Sequence, residues 1–419
     1  MKQREMDASS GRLAVFLSDL LELTGRAERR HWGEVYVRGL LLDGERKSIE
    51  PLAQRTPGGD VQALQQFVGQ SPWEFRPIRS RLAQRMEREL CPAPAWVIDD
   101  TGFPKQGTHS VGVARQYSGT LGRTANCQVA VSLHLTTDEA SVPLDFELYL
   151  PEAWALDRAR LEEAGVPEDV VFRTKWQIAL GLVDRAIETG LTPGVVTADA
   201  GYGNTTDFRV GLEERGLLYM VGAVQTTHAW LSATTRRAPP RRSGKGRPGT
   251  AKYEAEPQSL AEIAKGLSPK EFRTVTWRRG TRGPMRSRFA AVRVQPSHMH
   301  QHRAPEQSMV WLLIEWPLNE AEPDHYSLSN LPADFGLRRL VRHSKLRWHC
   351  EQDYQQTKEE LGLDHYEGRT WLGWHHHVTM VQIAHAFLTL ERLRSKKNFT
   401  VDPPGSEEIN PNSPPVLGR

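Results

Sequence analysis

The chain has 419 residues, of which 38% are hydrophobic and 25% charged, with a net charge of +3. That is enough for two or three domains with a sizeable core. No apolar run approaches the length that spans a bilayer, and the N-terminal MKQREMDASSGRLAVFLSDLLEL lacks a signal peptide's apolar centre and small-residue cleavage site, which argues against a membrane partner and leads to the expectation of a cytoplasmic location.

Residues 12–90 read as all-helical. LAVFLSDLLELTG, ERKSIEPLAQR, DVQALQQFVG and WEFRPIRSRLAQRMERELC place apolar residues at helical spacing, and Asp60 is an expected N-cap of the third. A helical N-terminal domain is therefore expected over residues 1–91, for packing or for DNA binding. After Pro92 and Pro94 the character changes. AWVIDD (95–100), SVGVARQY (110–117), CQVAVSLHL (127–135) and residues 142–150 read as strands between Gly, Thr and Asn turns. KWQIALGLVDRAIET (175–189) is an amphipathic helix stopped by Gly190. GVVTADAG (194–201) is a short apolar strand that ends on Asp199, followed by a helix (207–215) and a strand (218–224).

Residues 225–308 interrupt this alternation. Residues 231–293 carry 16 Lys or Arg against 4 Glu, while the rest of the chain is net acidic. Such asymmetry suggests a segment that faces a polyanion. The insertion opens with RRAPPRRSGKGRPGT, read as a mobile loop. FRTVTWRR and SRFAAVRVQ then read as strands of a small separate sheet. MVWLLIEW (309–316) is a strong buried-strand signal, and YSLSNL (326–331) reads as a further strand. One long helix is expected from Leu337 to Leu361, stopped by Gly362, and another over residues 374–393. The polar, Pro-rich end from residue 396 to 419 reads as disordered. The boundaries that follow are 1–91, 92–224, 225–308, 309–395 and 396–419.

Several local patterns carry chemistry. Cys91, Cys127 and Cys350 are far apart and form no CxxC pair, so they read as reduced thiols. GTLGRT (119–124) lacks the pattern of a phosphate loop, and no nucleotide cofactor is expected. His375, His376 and His377 point about 100° apart on a helix and cannot share one ion; they are expected to pack the helix, with one or two imidazoles facing DNA. Asp99 and Asp100 end the first strand, Asp199 ends the strand after the first core helix, and Glu351 lies on the late helix. In an α/β sheet these three positions can converge. Converging carboxylates repel, and hard divalent cations relieve that repulsion, with Mg²⁺ favouring carboxylate and water oxygens. Two such ions about 3.5–4 Å apart activate a water or 3′-hydroxyl and stabilise the leaving oxygen in phosphoryl transfer.

Three blocks together resemble the bacterial insertion-sequence transposases of the DDE superfamily. WVIDDTGFPKQG, followed by SVGVARQYSG and NCQVAVSLHL, resembles the first-Asp block. VVTADAGYGN resembles the second, and RWHCEQDYQQTKEELGLDHYEGRTWLGWHHH the third. The last is similar to the Y-x2-R-x3-E-x6-K signature of one branch: Arg347, Glu351 and Lys358 match, while Ser344 stands at the Tyr position, where Tyr354 or His343 could substitute. ERKSIEPLAQ and LQQFVGQSPW also look like this branch, so the resemblance covers about residues 12–395.

The resemblance implies an RNase H-like α/β core, a mixed sheet flanked by helices, with a mostly β basic insertion and the helical N-terminal domain. It implies that Asp100, Asp199 and Glu351 hold two Mg²⁺ ions, for which Mn²⁺ can substitute. Asp100, followed by Thr101, is preferred to Asp99, and strand alternation sends the two to opposite faces. Arg347, Tyr354 and Lys358 would contact DNA on the late helix, Tyr326 would stack on a flipped base, and Arg278, Arg279 and Arg282 would touch backbone phosphate. The activity implied is cut-and-paste transposition: cleavage at terminal inverted repeats and strand transfer into target DNA. It would be carried out by a homodimer in the synaptic complex, nucleoid-associated when bound to double-stranded DNA. A catalytically silent DNA-binding protein and a junction-resolving nuclease are the alternatives.

Overall fold

A computed structural model describes residues 3–90, 92–234, 236–237, 252–253, 255–280, 283–297 and 307–401. It divides into two compact units, Met1–Thr192 with Trp348–Arg419, and Pro193–Arg347.

The first unit opens with α1 (Gln3–Leu21), α2 (Ala27–Leu41), α3 (Ile49–Arg55), α4 (Val61–Gly69) and α5 (Phe75–Leu90). Asp60 caps α4 as expected, accepting the Ala63 N–H at 2.7 Å. Four strands follow: β1 (Ala95–Pro104), β2 (Ala114–Ser118), β3 (Arg123–Thr136) and β4 (Ser141–Tyr149). β3 pairs antiparallel with β1, β2 and β4. Short α6 (Glu152–Ala155) and α7 (Arg158–Glu163) lead to α8 (Lys175–Glu188), whose start is set by a Thr174–Gln177 capping box.

The second unit holds β5 (Val195–Ala198), α9 (Ala200–Gly203), α10 (Thr206–Glu214), β6 (Tyr219–Ala223), β7 (His228–Trp230), β8 (Arg236–Arg237), β9 (Lys252–Tyr253), β10 (Gln258–Ser259) and α11 (Leu260–Gly266). After these come β11 (Arg273–Gly280), β12 (Gly283–Pro296), β13 (Val310–Trp316), β14 (His325–Ser329) and α12 (Leu337–Lys345). Its strand order is β10-β7-β12-β13-β14-β6-β5, with β11 on β12 and β8 paired with β9 apart from the rest. Only the β5–β6 pair among these is parallel, so the sheet is mixed. The chain then returns to the first unit for α13 (Trp348–Glu359) and α14 (Trp371–Val401).

The fold class is therefore α/β with a mixed sheet flanked by helices, as expected. Four expectations need correction. β11 and β12, which carry FRTVTWRR and SRFAAVRVQ, are not a small sheet of their own: β11 pairs with β12, and β12 pairs with β13 from Arg288↔Trp316 to Val294↔Val310, so they extend the main sheet of their unit. The N-terminal helices do not stand apart. α14 packs against α2, α4, α5 and β4, because its apolar residues surround it on every side and need several partners. Buried Arg79 of α5 joins this packing, donating to Asp145 of β4 (2.9 Å), Thr379 (2.8 Å) and the His375 carbonyl (2.9 Å). The long helix is interrupted by a turn at 346–347, and Gly362 closes the following segment with a φ of 65°. Finally, α14 continues to Val401, past the expected start of the tail. Most of RRAPPRRSGKGRPGT, residues 402–419, Cys91 and Arg282 lie outside the described residues.

Candidate active site

β1 is buried along nearly its whole length, which suits its apolar AWVI start, and it delivers two carboxylates at its middle. Antiparallel register pairs Asp99 with Ser132 and Asp100 with Val131, so the neighbours take opposite faces, as alternation requires. On the Asp99 face, Ser132 Oγ lies 2.5 Å from the Tyr354 hydroxyl of α13. Asp99 is buried, and its Oδ1 accepts the Asp100 N–H at 2.8 Å. On the other face, Asp100 Oδ2 is 3.1 Å from Lys175 Nζ at the start of α8. The Asp100 side chain is 25% exposed, so its carboxylate can reach solvent and a cation.

α13 is held to this sheet by buried polar contacts. His134 bridges Asp353 Oδ2 through Nδ1 (2.8 Å) and Ser132 Oγ through Nε2 (2.8 Å). His385 of α14 approaches the other Asp353 oxygen at 3.6 Å. Burial alone would raise the Asp353 carboxyl; the His134 hydrogen bond and the charges of His385 and His134 outweigh it and hold the group below its ordinary range. One turn on, Lys358 donates to the Gly102 carbonyl at 2.8 Å, with its ammonium 5.6 Å from the Phe103 ring centre. Burial pushes Lys358 down to about 8, against the opposing pull of Asp364 and Cys127. Glu351, on the same helix, is exposed.

In the second unit, Asp199 follows the fully buried β5 and caps α9. Its Oδ1 accepts the N–H groups of Gly201 (2.9 Å) and Tyr202 (3.3 Å). Both bonds use Oδ1, so the cap leaves Oδ2 out of these contacts. Two glycines permit the turn. A Cβ on Gly203 would fall 2.0 Å from the Gly222 carbonyl oxygen, and one on Gly222 would fall 2.7 Å from the Ala200 nitrogen. α9 thus lies directly on β6 because neither position has a side chain.

Several expected DNA contacts are placed differently. Tyr354 is buried against Ser132, and burial pushes its phenol well up, reinforced by Cys350, Asp99 and Asp100. It cannot grip a phosphate from there. Tyr326 is buried in β14, with its hydroxyl 3.2 Å from the Pro323 carbonyl, so its ring is part of the packing of its unit and not an open stacking platform. Lys358 spends its ammonium on a backbone carbonyl. Arg347 lies in the turn before α13, and the Ser344 hydroxyl bonds within α12 to the Val341 carbonyl at 2.8 Å. Arg279 is exposed and Arg278 half-buried on β11. The three histidines pack the helix, and none faces outward. His375 stacks on Phe75 (4.4 Å), His376 on Trp73 (3.5 Å), and His377 lies 2.9 Å from the Tyr36 hydroxyl.

The His134–Asp353 bridge was not expected from the sequence. The signal was present in Gln128, Ser132, His134 and Thr136, alternate polar residues on one face of a buried strand, which demand buried partners.

The donor chemistry at Asp100, Asp199 and Glu351 is hard carboxylate oxygen, which fits a divalent cation such as Mg²⁺, and Asp100 already holds a cationic ammonium. Among the described residues, however, no group of three His, Cys, Asp or Glu is gathered closely enough to hold a metal. Among them, too, no helix is long and apolar enough to cross a membrane.

Comparison with known proteins adds two findings. The family model described as DDE superfamily endonuclease matches residues 19–284, a span that includes β1 with Asp100 and β5 with Asp199 and ends before α13. The chain is also 32% identical over 192 residues to the "Probable transposase for insertion sequence element IS701" of Microchaete diplosiphon, covering 45% of this chain and 47% of that protein. The match thus spans about half the length of that relative.

Proposed function

Because the chain belongs to the DDE superfamily of endonucleases, we propose that it is an insertion-sequence transposase that cuts double-stranded DNA at its element's terminal inverted repeats and joins the freed 3′ ends to target DNA. The observation that carries this reading is the family match across both aspartate-bearing strands. The transposase similarity and the mixed α/β architecture, which is consistent with an RNase H-like core, support it.

In this reading Asp100, Asp199 and Glu351 hold two divalent cations, Mg²⁺ or in its place Mn²⁺. Cations so held would lower the pKa of a bound water and neutralise charge on the scissile phosphate. The other roles belong to the chain itself. Lys175 balances the Asp100 carboxylate. Lys358 against β1, and Tyr354 and the His134–Asp353 bridge against β3, are positioning contacts that keep α13, and with it Glu351, against the sheet. Arg347, Arg278, Arg279 and Arg282 contact backbone phosphate. Two ends must be cut together, so the synaptic complex is a homodimer.

A Mg²⁺-dependent nicking assay on a duplex carrying the element's terminal repeat tests this. Wild-type protein should nick at the repeat boundary, and Asp100→Ala and Glu351→Gln should bind the duplex without nicking it. Wild-type nicking by either variant would remove the metal-site assignment. Light scattering of the DNA-bound protein should give the mass of a dimer.

A second reading, a catalytically silent DNA-binding protein, is favoured by Ser344, which stands at the signature tyrosine and spends its hydroxyl inside α12. Binding without cleavage in both Mg²⁺ and Mn²⁺ would establish it.

A further inference from the structure

We propose that the outer face of the β2–β3 hairpin, with Arg115 and Tyr117 on it and Arg123 at its tip, binds unpaired DNA: Tyr117 stacks on a base and the two guanidiniums take backbone phosphates. The proposal rests on the DNA-binding reading above and deepens it, because it names a state of the DNA, single-stranded, and residues that lie outside the signature.

Strand alternation decides which side chains leave the hairpin. β2 pairs with β3 from Ala114↔Cys127 to Ser118↔Arg123, around one turn of 3-10 helix at Gly119–Leu121 that Gly122 closes with a φ of 61°. Gln116 and Ser118 fall on one face, Arg115 and Tyr117 on the other. The inner face is anchored. Ser118 is completely buried, and a Cβ on Gly102 would overlap its Oγ, so the hairpin rests on β1 where that strand has no side chain, two residues beyond Asp100. Gln116 donates its amide to the Cys127 carbonyl at 2.9 Å. The outer face meets solvent: Tyr117 is 61% exposed, Arg115 is exposed on the same face, and exposed Thr124 stands opposite Tyr117. Leu121 and Arg123 are exposed at the tip.

No Asp or Glu occurs from residue 101 to residue 137, so neither the hairpin nor the end of β1 beyond Asp100 contributes a carboxylate. A merely solvated surface would usually mix both signs. Arginine suits phosphate, because the planar guanidinium can donate two parallel hydrogen bonds to it. Cations interleaved with an aromatic ring are the elements of a stacking platform for a nucleic-acid strand, with the backbone in the positive field and a base on the ring. The tyrosine decides the state of the DNA. A duplex keeps its base faces inside the stack, so only an unpaired base can lie on the ring, whereas the arginines alone would accept either form. A protein partner is less favoured, because an interface centre needs a larger apolar patch, and Tyr117 and Leu121 are the large hydrophobic residues that the hairpin exposes.

The test compares binding of the full chain to an oligothymidylate of about 20 nucleotides and to a blunt duplex of about 30 base pairs, both read by fluorescence anisotropy. Tyr117→Ala should weaken oligothymidylate binding at least about fivefold and leave duplex affinity within about twofold. Tyr117→Trp, which keeps a ring, should stay within about twofold of the wild type on both. Arg115→Gln combined with Arg123→Gln should make the salt slope on oligothymidylate shallower by about 1.4, at about 0.7 for each phosphate of a single strand. Unchanged oligothymidylate affinity in Tyr117→Ala, or equal losses on both DNAs, would overturn the proposal alone. So would a wild-type protein that binds the duplex but not the oligothymidylate. Failure to bind either DNA would overturn both this and the DNA reading. Unchanged DNA affinities with a halved mass of the DNA-bound Tyr117→Ala variant in light scattering would make the hairpin a contact between copies and overturn the proposal. Arg115, Tyr117 and Arg123 are exposed, so thermal unfolding of each variant should match the wild type and exclude misfolding as the cause.

Discussion

Lys358 on α13 donates a hydrogen bond to the carbonyl oxygen of Gly102 on β1, two residues beyond Asp100. The bond ties the helix that carries Glu351 to the strand that carries Asp100. A lysine that faced DNA would be solvated and free to move, whereas this one is half-buried beside the Phe103 ring. Lys358→Met should therefore lower cleavage at least tenfold while leaving duplex affinity within about twofold and the salt slope unchanged, since a lost phosphate contact would shift that slope by about 0.9. Anisotropy titrations beside a nicking assay separate the two; a shallower slope would return Lys358 to the DNA.

Acid should unfold the first unit through its buried histidines. Burial holds His376, His377 and His385 down at about 4, against 6.5 when exposed. Their folded pKa values are lowered, so the unfolded chain binds more protons between those limits, and stability falls as pH drops from 6.5 toward 4. The melting temperature should hold near neutral pH and fall steeply across that window. A flat melting temperature from pH 7 to 4.5 would contradict it.

The His134–Asp353 bridge predicts an asymmetric pair of variants. His134→Ala leaves the Asp353 carboxylate buried with its shortest partner gone, which should cost about 3–5 kcal/mol. Replacing both partners by apolar residues of similar size should recover part of that loss. Urea denaturation of the single and double variants measures the difference, and equal losses in both would show that no buried charge is being compensated.

Gly203→Ala should destabilise the Asp199 turn by about 1–3 kcal/mol, as overpacking does, because the new methyl would fall 2.0 Å from a backbone carbonyl oxygen that cannot rotate away. Amide exchange in β5, α9 and β6 should quicken more than in the rest of the second unit. Uniform exchange with unchanged stability would mean that the turn has room to spare.

Much of this molecule was legible in one dimension. Asp60 at a helix start, the turn-bounded runs of β3 and β4, the amphipathic α8 stopped by Gly190, and Asp199 at the end of a short apolar strand all depend on residues a few positions apart, and local backbone chemistry decides them. Sequence spacing also placed Asp99 and Asp100 on opposite faces. Packing decided the rest. β11 and β12 read as a small sheet of their own because a long basic segment precedes them, yet β12 pairs with β13, since its free edge is satisfied by the nearest apolar strand. Tyr354 and Lys358 shared a helical stripe with Glu351, but a stripe does not reveal which of its members meets the sheet. Only the approach of α13 to β1 and β3 turned the first two inward to Ser132 and Gly102 and left Glu351 exposed. The triple histidine read as helix packing with one or two rings turned to DNA, but all three are core, because Phe75, Trp73 and Tyr36, some 300 residues earlier in the chain, supply the surfaces that bury them.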